Sequence, residues 1–349
     1  MTWSTRIASV TVTLCAGLLG GVVFRLIGLP MPWLLGPIIG AAVAAMMGLP
    51  SGLPRWLRGS VLVVLGLMIG STVHQSTLAH IARWPVSMSA VALYVALCTG
   101  GMYAVLRRFG GFDPVTAYFA AAPGGFVAMT VLGGAFGGRE RSIALTHAVR
   151  VVLVVFTIVL SYHLLLGISA SPHTAGPAPV LGWHQWAELA LIGAAGWLLG
   201  RLLHLPSSAM LGPLLLFAAT RVAGFNPPSM PRPPLLAAEV ILGSGIGAGF
   251  AGATLRELRQ SILISLAATG GMLGLSLAFS LALRAVTGIP VETLFLAFSP
   301  GGLSGVSLIA LALGIEPAFV TAHNVLRVLL ILFAGPLIFR VFKGSTPQT

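Results

Sequence analysis

The sequence predicts an all-α polytopic membrane protein made of two inverted repeats, each with about five crossing helices and one broken or re-entrant Pro-Gly-Gly segment. Three observations lead to this fold class. Of the 349 residues, 57% are hydrophobic and only 7% are charged, and the mean hydropathy is +0.99. Apolar stretches long enough to cross a bilayer recur between short polar breaks. The second half of the chain also repeats motifs of the first half.

The apolar stretches favour helical spans, because the strands of an outer-membrane barrel alternate in polarity over about ten residues. In the first half they lie at 7–28, 32–49, 58–78, 84–106, 114–136 and 142–166. The net charge of +12 raises the question of nucleic-acid binding, but the 19 basic residues are scattered at the ends of the apolar stretches. We therefore expect these residues to set the topology in a lipid bilayer, and we expect no nucleic-acid partner.

The repeat is visible in two pairs of segments. The stretch FRLIGLPMPWLLGPIIGAA at 24–42 returns as GRLLHLPSSAMLGPLLLFA at 200–218. In nearly the same register, the Pro-Gly-Gly at 123–125 aligns with the Pro-Gly-Gly at 300–302. Recurrence over such a distance indicates an internal duplication.

The duplication sets the predicted domain boundaries. We expect membrane repeat 1 at 1–166, a polar extracytoplasmic linker at 167–185 and membrane repeat 2 at 186–349. The first apolar stretch resembles a signal peptide, but its match at 186–204 lies inside the chain, so we assign it to the fold.

The basic residues favour inverted over parallel repeats. If all six stretches of each half crossed, the halves would be parallel. If the Pro-Gly-Gly stretch enters and leaves on one face, most Lys and Arg residues and both termini fall on the cytoplasmic side, as the positive-inside rule requires. The linker, which has no Lys or Arg, then lies outside. The same distribution of Lys and Arg residues between the two sides would result if a different stretch of each half failed to cross.

The paired Pro-Gly-Gly breaks predict a binding site near the membrane midplane. The half-helices that follow them, from Phe126 and Leu303, would direct free N–H groups and a positive dipole end towards an anion or a carboxylate. The alternative is a glycine-rich contact where two helices cross closely. Hydroxyl groups near the breaks come from Thr130, Ser299, Ser304 and Ser307.

Two arginines lie inside predicted spans, where each costs at least about 2.5–3.5 kcal/mol. Arg150 follows His147, and its repeat counterpart Arg327 follows His323 and Asn324. A substrate anion, glutamate partners or the carbonyl ends of the broken half-helices would each explain the arginines. The two histidines are candidates for proton coupling, with hydrogen-bonded packing as the alternative.

The predicted substrate-binding set combines the two breaks with the arginine segments. Its members are Pro123, Gly124, Gly125, Phe126, Thr130, His147, Arg150, Ser299, Pro300, Gly301, Gly302, Ser304, Ser307, His323, Asn324 and Arg327. Glu239, His147 and His323 are candidates for carrying a coupling proton or for binding sodium, and Glu239 could equally reach the membrane interface. Asp113 precedes the first broken stretch, where a helix N-cap is expected.

The sequence contains no enzyme signature. It lacks a His, Cys or carboxylate cluster at metal-ligand spacing, a phosphate-binding loop and a nucleophile elbow. We therefore predict a protein that is not an enzyme and that needs no cofactor or metal.

The paired segments PWLLGP and SAMLGP, and APGGFVAM and SPGGLSGVSLIALALG, followed by AHNVLRVLL, resemble the membrane AbrB family over essentially the whole chain. The resemblance implies a bacterial inner-membrane protein with a duplicated membrane unit and a poorly defined function. Members are sometimes labelled an ammonia monooxygenase or a regulator. They differ from the small DNA-binding regulators of the same name. The monooxygenase label finds no support, because the eight histidines are dispersed.

From these residues we expect a secondary transporter of a small anionic solute. Two alternatives stay open: a membrane sensor or regulatory protein that affects gene expression indirectly, and a channel for a small solute or ammonia. Whether two copies form a homodimer is also left open.

Overall fold

The computed structural model describes residues 3–73, 84–167, 181–231, 233–253 and 255–344. The secondary structure in these ranges is helical throughout, with no strand, which confirms the predicted all-α class. The helices are α1 Trp3–Leu26, α2 Pro32–Met46, α3 Arg55–Ser71, α4 Trp84–Arg108, α5 Pro114–Ala121, α6 Phe126–Ala135, α7 Glu140–Leu166, α8 Trp183–Leu202, α9 Ser208–Val222, α10 Pro233–Gly247, α11 Leu255–Thr287, α12 Val291–Phe298, α13 Leu303–Leu313 and α14 Pro317–Gly344. Most of the predicted linker, 168–180, and the terminal residues 1–2 and 345–349 lie outside the described residues.

Within the described ranges, six helices are long and apolar enough to cross a membrane. They are Ile7–Leu26, Trp84–Arg108, Glu140–Leu166, Pro233–Phe250, Leu263–Thr287 and Pro317–Phe339. Helices α2, α9 and α13 are apolar but shorter. The chain is therefore a polytopic membrane protein, and the number of crossings in each half stays a prediction.

The helices form two compact units, and each unit takes residues from both halves of the chain. The first unit is Met1–Ala82, Phe156–Gly252 and Ser307–Ala318, and the second unit is Arg83–Val155, Ala253–Val306 and Phe319–Thr349. These units differ from the predicted repeats 1–166 and 186–349, which stay a prediction.

In the first unit, glycines let two pairs of helices pack with their backbones in contact. A Cβ atom on Gly36 of α2 would lie 2.4 Å from the carbonyl oxygen of Gly20 on α1. A Cβ atom on Gly212 of α9 would lie 2.0 Å from the carbonyl oxygen of Gly196 on α8. Small residues at helix contacts are the usual means of close packing in membranes, where lipid supplies no hydrophobic drive between helices.

In the same unit, helices from the first half of the chain pack on helices from the second half. A Cβ atom on Gly66 of α3 would lie 2.2 Å from the carbonyl oxygen of Met210 on α9. A Cβ atom on Gly243 of α10 would lie 2.6 Å from the carbonyl oxygen of Leu34 on α2. The third helix of each half thus packs on the second helix of the other half.

In the second unit, α5 and α6 form a hairpin whose two ends meet. The backbone N–H of Arg139, after α6, donates to the Thr116 hydroxyl at 2.8 Å, and Arg139 Nε lies 3.3 Å from Asp113 Oδ2, before α5. Between the two helices, the Phe119 and Phe136 rings stack with centroids 5.5 Å apart. The segment therefore returns to the end from which it started.

Asp113 caps α5 as expected, since its Oδ1 accepts the Thr116 N–H at 2.8 Å. Partial burial alone would raise the pKa of the Asp113 carboxyl, but the hydrogen bonds from Thr116 and the positive charge of the Arg139 guanidinium together hold this pKa below its usual value. The ionised carboxylate therefore stabilises the hairpin at neutral pH, and its contribution is lost as the pH falls through the lowered pKa.

The glycine contacts predict a stability difference between two alanine variants. Gly212→Ala should lower the free energy of unfolding by about 1–3 kcal/mol, because its Cβ meets a backbone oxygen that cannot move alone. Gly59→Ala on α3 is the matched control, because its Cβ would meet no atom within 4 Å. Thermal unfolding of the purified protein in detergent measures both. Equal melting temperatures for the two variants would contradict the close contact.

The Asp113 cap predicts a graded loss of stability. Asp113→Ala removes the cap and the ion pair, and should cost about 0.5–2 kcal/mol. Asp113→Asn keeps a side-chain oxygen for the Thr116 N–H and should cost less. Unfolding temperatures of the wild type and the two variants at neutral pH test this order. If Asp113→Asn unfolds at the same low temperature as Asp113→Ala, helix capping does not explain the role of Asp113.

Candidate functional site

The first helix break lies at 122–125, between α5 and α6. Gly124 and Gly125 have φ values of 157° and 65°, and Gly125 is the left-handed residue immediately before α6. Side chains rarely tolerate that left-handed conformation, which explains the glycine. Pro123 is buried and has no N–H to continue α5. A new helix therefore starts at Phe126, with its first N–H groups unpaired within the helix and the positive end of its dipole at the break.

The second break lies at 299–302, between α12 and α13, and has space beside it. Pro300 and Gly301 are buried. A Cβ atom on Gly302 or on the buried Gly305 would meet no neighbouring atom within 4 Å. The start of α13 therefore borders open space in the second unit.

Arg150 on α7 pairs with the last carbonyl groups of α5. Its Nη1 donates to the carbonyl oxygens of Ala120 at 3.3 Å and Ala121 at 3.4 Å. Its Nη2 donates to the Ala122 carbonyl at 2.8 Å and to Nδ1 of His147 at 2.5 Å. The side chain is only 1% exposed.

Arg327 on α14 does the same at the second break. Its Nη1 donates to the Ser299 carbonyl oxygen, and its Nη2 donates to the Gly301 carbonyl at 2.8 Å and to Asn324 Oδ1 at 2.5 Å. These contacts correspond to the alternative in which each arginine pairs with the carbonyl end of a broken half-helix.

His147 and Asn324 serve the two arginines in the same way. Nδ1 of His147 accepts from Arg150, so Nε2 carries the proton and donates to the Phe119 carbonyl oxygen at 3.0 Å. Oδ1 of Asn324 accepts from Arg327, and its Nδ2 donates to a carbonyl of its own helix at 2.7 Å. Both ring nitrogens of His147 are therefore occupied in the neutral form.

His323 is buried in an aromatic environment one turn before Arg327. Its Nδ1 lies 2.9 Å from the Phe319 carbonyl oxygen, and its Nε2 lies 2.9 Å from the Ser87 hydroxyl. The Phe319 ring centroid is 4.0 Å from the imidazole, and the Trp84 ring packs nearby. Both nitrogens of this histidine have partners as well.

Within the described ranges, neither buried arginine has a carboxylate within the 4.0 Å of an ion pair, so the glutamate alternative has no support there. In both arginines, Nε is buried and lacks a hydrogen-bond partner among the described residues. Nε of Arg327 lies 3.9 Å from the position of a Cβ atom on Gly124.

Each break also lies against the arginine helix of the other half. A Cβ atom on Gly124 would be 3.5 Å from the Ile331 side chain and 3.6 Å from the Val328 side chain, both on α14. A Cβ atom on Gly301 would be 3.3 Å from the Val154 side chain on α7. The sequence alone did not predict this exchange, because it depends on how the helices pack.

Among the other predicted residues, Phe126 packs its ring edge-on against the His147 imidazole, with centroids 5.9 Å apart. Thr130 donates to the Phe126 carbonyl of its own helix at 2.8 Å, and the Phe126 side chain is 39% exposed. Ser304 is half-buried in the second unit. Ser307 and Glu239 are buried and belong to the first unit.

Sequence reasoning missed a polar pair in the second unit. The Tyr94 hydroxyl lies 2.9 Å from the Ser276 hydroxyl, which also donates to the carbonyl of Phe298, the last residue of α12, at 3.2 Å. Polar residues inside apolar spans were the available signal. In the described part of the chain, no group of three or more His, Cys, Asp or Glu residues could hold a metal ion.

The shared role of His147 and Asn324 predicts which substitutions are tolerated. His147→Asn should stay close to wild-type stability, because an amide oxygen can still accept from Arg150. His147→Leu leaves a buried N–H unpaired and should cost about 1–3 kcal/mol. Thermal unfolding compares the two variants. If they unfold at the same temperature, the hydrogen bond to Arg150 does not explain the histidine.

Comparison with known proteins agrees with the motifs. Residues 33–343 match the family model described as "Transition state regulatory protein AbrB". The chain is 31% identical over 332 residues to "Putative regulator AbrB" of Escherichia coli (strain K12), covering 93% of this chain and 94% of that protein. It is 26% identical over 353 residues to "Uncharacterized protein YhjN" of Bacillus subtilis (strain 168), covering 92% and 90%. These full-length matches confirm the resemblance: the chain belongs to the AbrB family and is a polytopic membrane protein of that family.

Proposed function

We propose that this protein is a secondary transporter of a small anionic solute, which binds at the two helix breaks of the second unit. The observation that carries the proposal is the pair of buried arginines, Arg150 and Arg327, with no carboxylate partner among the described residues. Breaking a buried charge pair is strongly destabilising because the remaining charge is uncompensated. A bound anion would compensate these two positive charges.

The backbone around the arginines supports the same site. Irregular backbone at membrane depth is tolerated where it is buried in protein or lines a watery cavity. The N-termini of α6 and α13 attract anions through free N–H groups and the helix dipole. The open space beside Gly302 and Gly305 gives a ligand room at the start of α13.

We further propose that two inverted, duplicated repeats generate this site in the bacterial inner membrane, with both chain termini in the cytoplasm. Two observations support the repeats: the reciprocal packing of α3 on α9 and of α10 on α2, and the contact of each break with the arginine helix of the other half. The hairpin of α5 and α6, whose ends meet, supports a re-entrant segment and hence an odd number of crossings in the first half.

Transport against a gradient requires a coupling ion, which we propose is a proton or sodium. Glu239 and His323 are the candidates for this role. His147 is less suited, because its Nδ1 accepts from the Arg150 guanidinium, and a proton on that nitrogen would meet this positive charge.

The second candidate function is a membrane sensor that binds its ligand without moving it. It is favoured by the names of the matching family model and of the Escherichia coli relative, which both describe a regulator. Flux separates the two functions, because a sensor binds but does not translocate.

The test is uptake of labelled small anions into proteoliposomes that contain the full chain. Gly302→Leu should reduce uptake about tenfold or more, because its side chain fills the space at the start of α13. The control is Gly274→Leu, an exposed glycine on α11 whose Cβ also meets no atom within 4 Å. It should transport like the wild type.

Each other outcome has a defined meaning. Tight anion binding without uptake in the wild type would reject transport and favour the sensor. Full uptake by a well-folded Gly302→Leu variant would reject the site assignment at the second break.

A further inference from the structure

We infer that a groove on the first unit binds an anionic phospholipid, with one acyl chain between α3 and α8 and the phosphate group at Arg201. The groove has a volume of about 390 Å³, and its lining residues are apolar apart from Ser60. The site goes beyond the proposed function, because it lies in the first unit and does not involve the helix breaks.

The groove forms where α8 carries small residues beside α3. Ala190, Gly193 and Ala194 of α8 line it together with Val64 of α3. A Cβ atom on Gly193 would lie 2.9 Å from the Val63 side chain, so the two helices are in contact along the groove. Small side chains next to larger ones leave a narrow apolar channel, which suits a chain of methylene groups.

The groove belongs to a surface that is apolar and exposed. On α8, the Leu191 side chain is 70% exposed and the Leu198 side chain is 56% exposed. In a membrane protein, such a face contacts lipid. Because lipid tails are as apolar as the groove, a bound chain gains only van der Waals packing, and selection among lipids has to come from the headgroup.

The length of the groove matches the acyl region of one leaflet. Trp186 and Trp197 of α8 both line the groove, and the helix rises about 16 Å between them. Half of the hydrocarbon core of a bilayer is about 15 Å thick. One acyl chain of a lipid whose headgroup lies at one end of the groove therefore fits along it.

The same dimensions favour an acyl chain over a helix from a second copy of the protein. A helix with its side chains is about 10 Å wide, so two turns of helix fill about 850 Å³. The groove has less than half of this volume. A single acyl chain is thinner than a helix and enters without widening the groove.

A positive charge lies at the Trp197 end of the groove. The Arg201 guanidinium lies over the Trp197 ring, 5.3 Å from its centroid. Within the described ranges, Arg201 has no carboxylate within the 4.0 Å of an ion pair. Glu188 lies near the other end of α8, about 20 Å away along the helix. The guanidinium is therefore placed to bind a lipid phosphate next to the groove.

A second basic residue lies at the same end of the groove. Successive glycines of α3 meet successively later residues of α9, whereas successive glycines of α8 meet successively earlier residues of α9. Helices α3 and α8 therefore run in opposite directions, and Arg55 at the start of α3 lies at the same end as Arg201 near the end of α8. Both arginines are exposed, so this end of the groove favours an anionic headgroup.

The first half of the chain supplies a matched arginine without this groove end. In the alignment of 24–42 with 200–218, Arg25 of α1 corresponds to Arg201, and in the same register Gly21 corresponds to Trp197. Gly21 is buried, and a Cβ atom on it would lie 2.8 Å from the Trp33 ring. Arg25 is exposed like Arg201, so its substitution changes the charge equally at a position that is packed.

The first test is lipid binding to the full-length protein in detergent, measured by native mass spectrometry with dioleoylphosphatidylglycerol and with dioleoylphosphatidylcholine. We expect the anionic lipid to bind about fivefold or more tightly than the zwitterionic lipid. Arg201→Gln should weaken binding of the anionic lipid about fivefold, whereas Arg25→Gln should bind it like the wild type. Equal affinity of the wild type for both lipids, or an equal loss in both variants, would overturn the inference.

The second test fills the groove. Ala194→Leu places a larger side chain in the path of the acyl chain and should weaken binding of dioleoylphosphatidylglycerol about fivefold or more. The matched control is Ala195→Leu, at an exposed position of α8 that does not line the groove, and it should bind like the wild type. Equal affinity in these two variants would place the acyl chain elsewhere. The arginine variants change only exposed side chains, so they decide the inference even if Ala194→Leu does not fold.

The same mass spectra separate a lipid from a second copy of the chain. Lipid bound to the monomer, and lost in Ala194→Leu, supports the inference. A lipid-free dimer that dissociates in Ala194→Leu and persists in Ala195→Leu would show that another copy occupies the groove, and would overturn the inference.

Discussion

The second unit depends on the pairing of a buried guanidinium with the carbonyl end of a short helix. A helix that ends inside the protein leaves up to four carbonyl groups without intrahelical partners, and each unpaired buried group costs about 1–3 kcal/mol. One guanidinium has five donors and can satisfy several carbonyls at once. Arg150 does so for α5, and Arg327 does so for α12. With those carbonyls satisfied, the chain can turn at Pro-Gly-Gly and start a new helix inside the protein. The breaks and the arginines therefore explain each other.

Composition and recurrence were enough to predict the helical membrane class, the family resemblance and the residues on which the candidate site is built. They could not decide whether Arg150 and Arg327 face a ligand or a carbonyl, because that depends on where each half-helix ends relative to the neighbouring helix. An arginine that binds a ligand and an arginine that pairs with a carbonyl can both occur at the same position after the Pro-Gly-Gly break. The sequence also did not reveal that Gly66 contacts α9 and that Gly243 contacts α2, since nothing local specifies a tertiary partner. Tyr94 was missed because the sequence around a single polar residue in an apolar stretch does not show which residue of another helix it contacts, here Ser276.

His147 and Asn324 play the same part beside the two arginines although they are different residues. An imidazole at His147 and an amide at Asn324 both present an acceptor to the arginine and a donor to a carbonyl. The breaks themselves differ in their surroundings. The first is lined by side chains of α14 next to Gly124, whereas the second has open space next to Gly302. A solute would therefore meet two different environments, which favours unequal binding positions over a symmetric site.

The closed hairpin of α5 and α6 has a mechanical consequence. Its base is fixed by Arg139, immediately before α7, and the C-terminal end of α5 is fixed by Arg150, on α7 itself. Two anchor points, one immediately before α7 and one on it, prevent the hairpin from pivoting independently of α7, so we expect the hairpin and α7 to move together. The hairpin is also fixed to α14, because the Tyr118 hydroxyl on α5 donates to the Gly335 carbonyl oxygen on α14 at 2.8 Å. Movement of the hairpin away from α14 at the first break would therefore require this hydrogen bond to break.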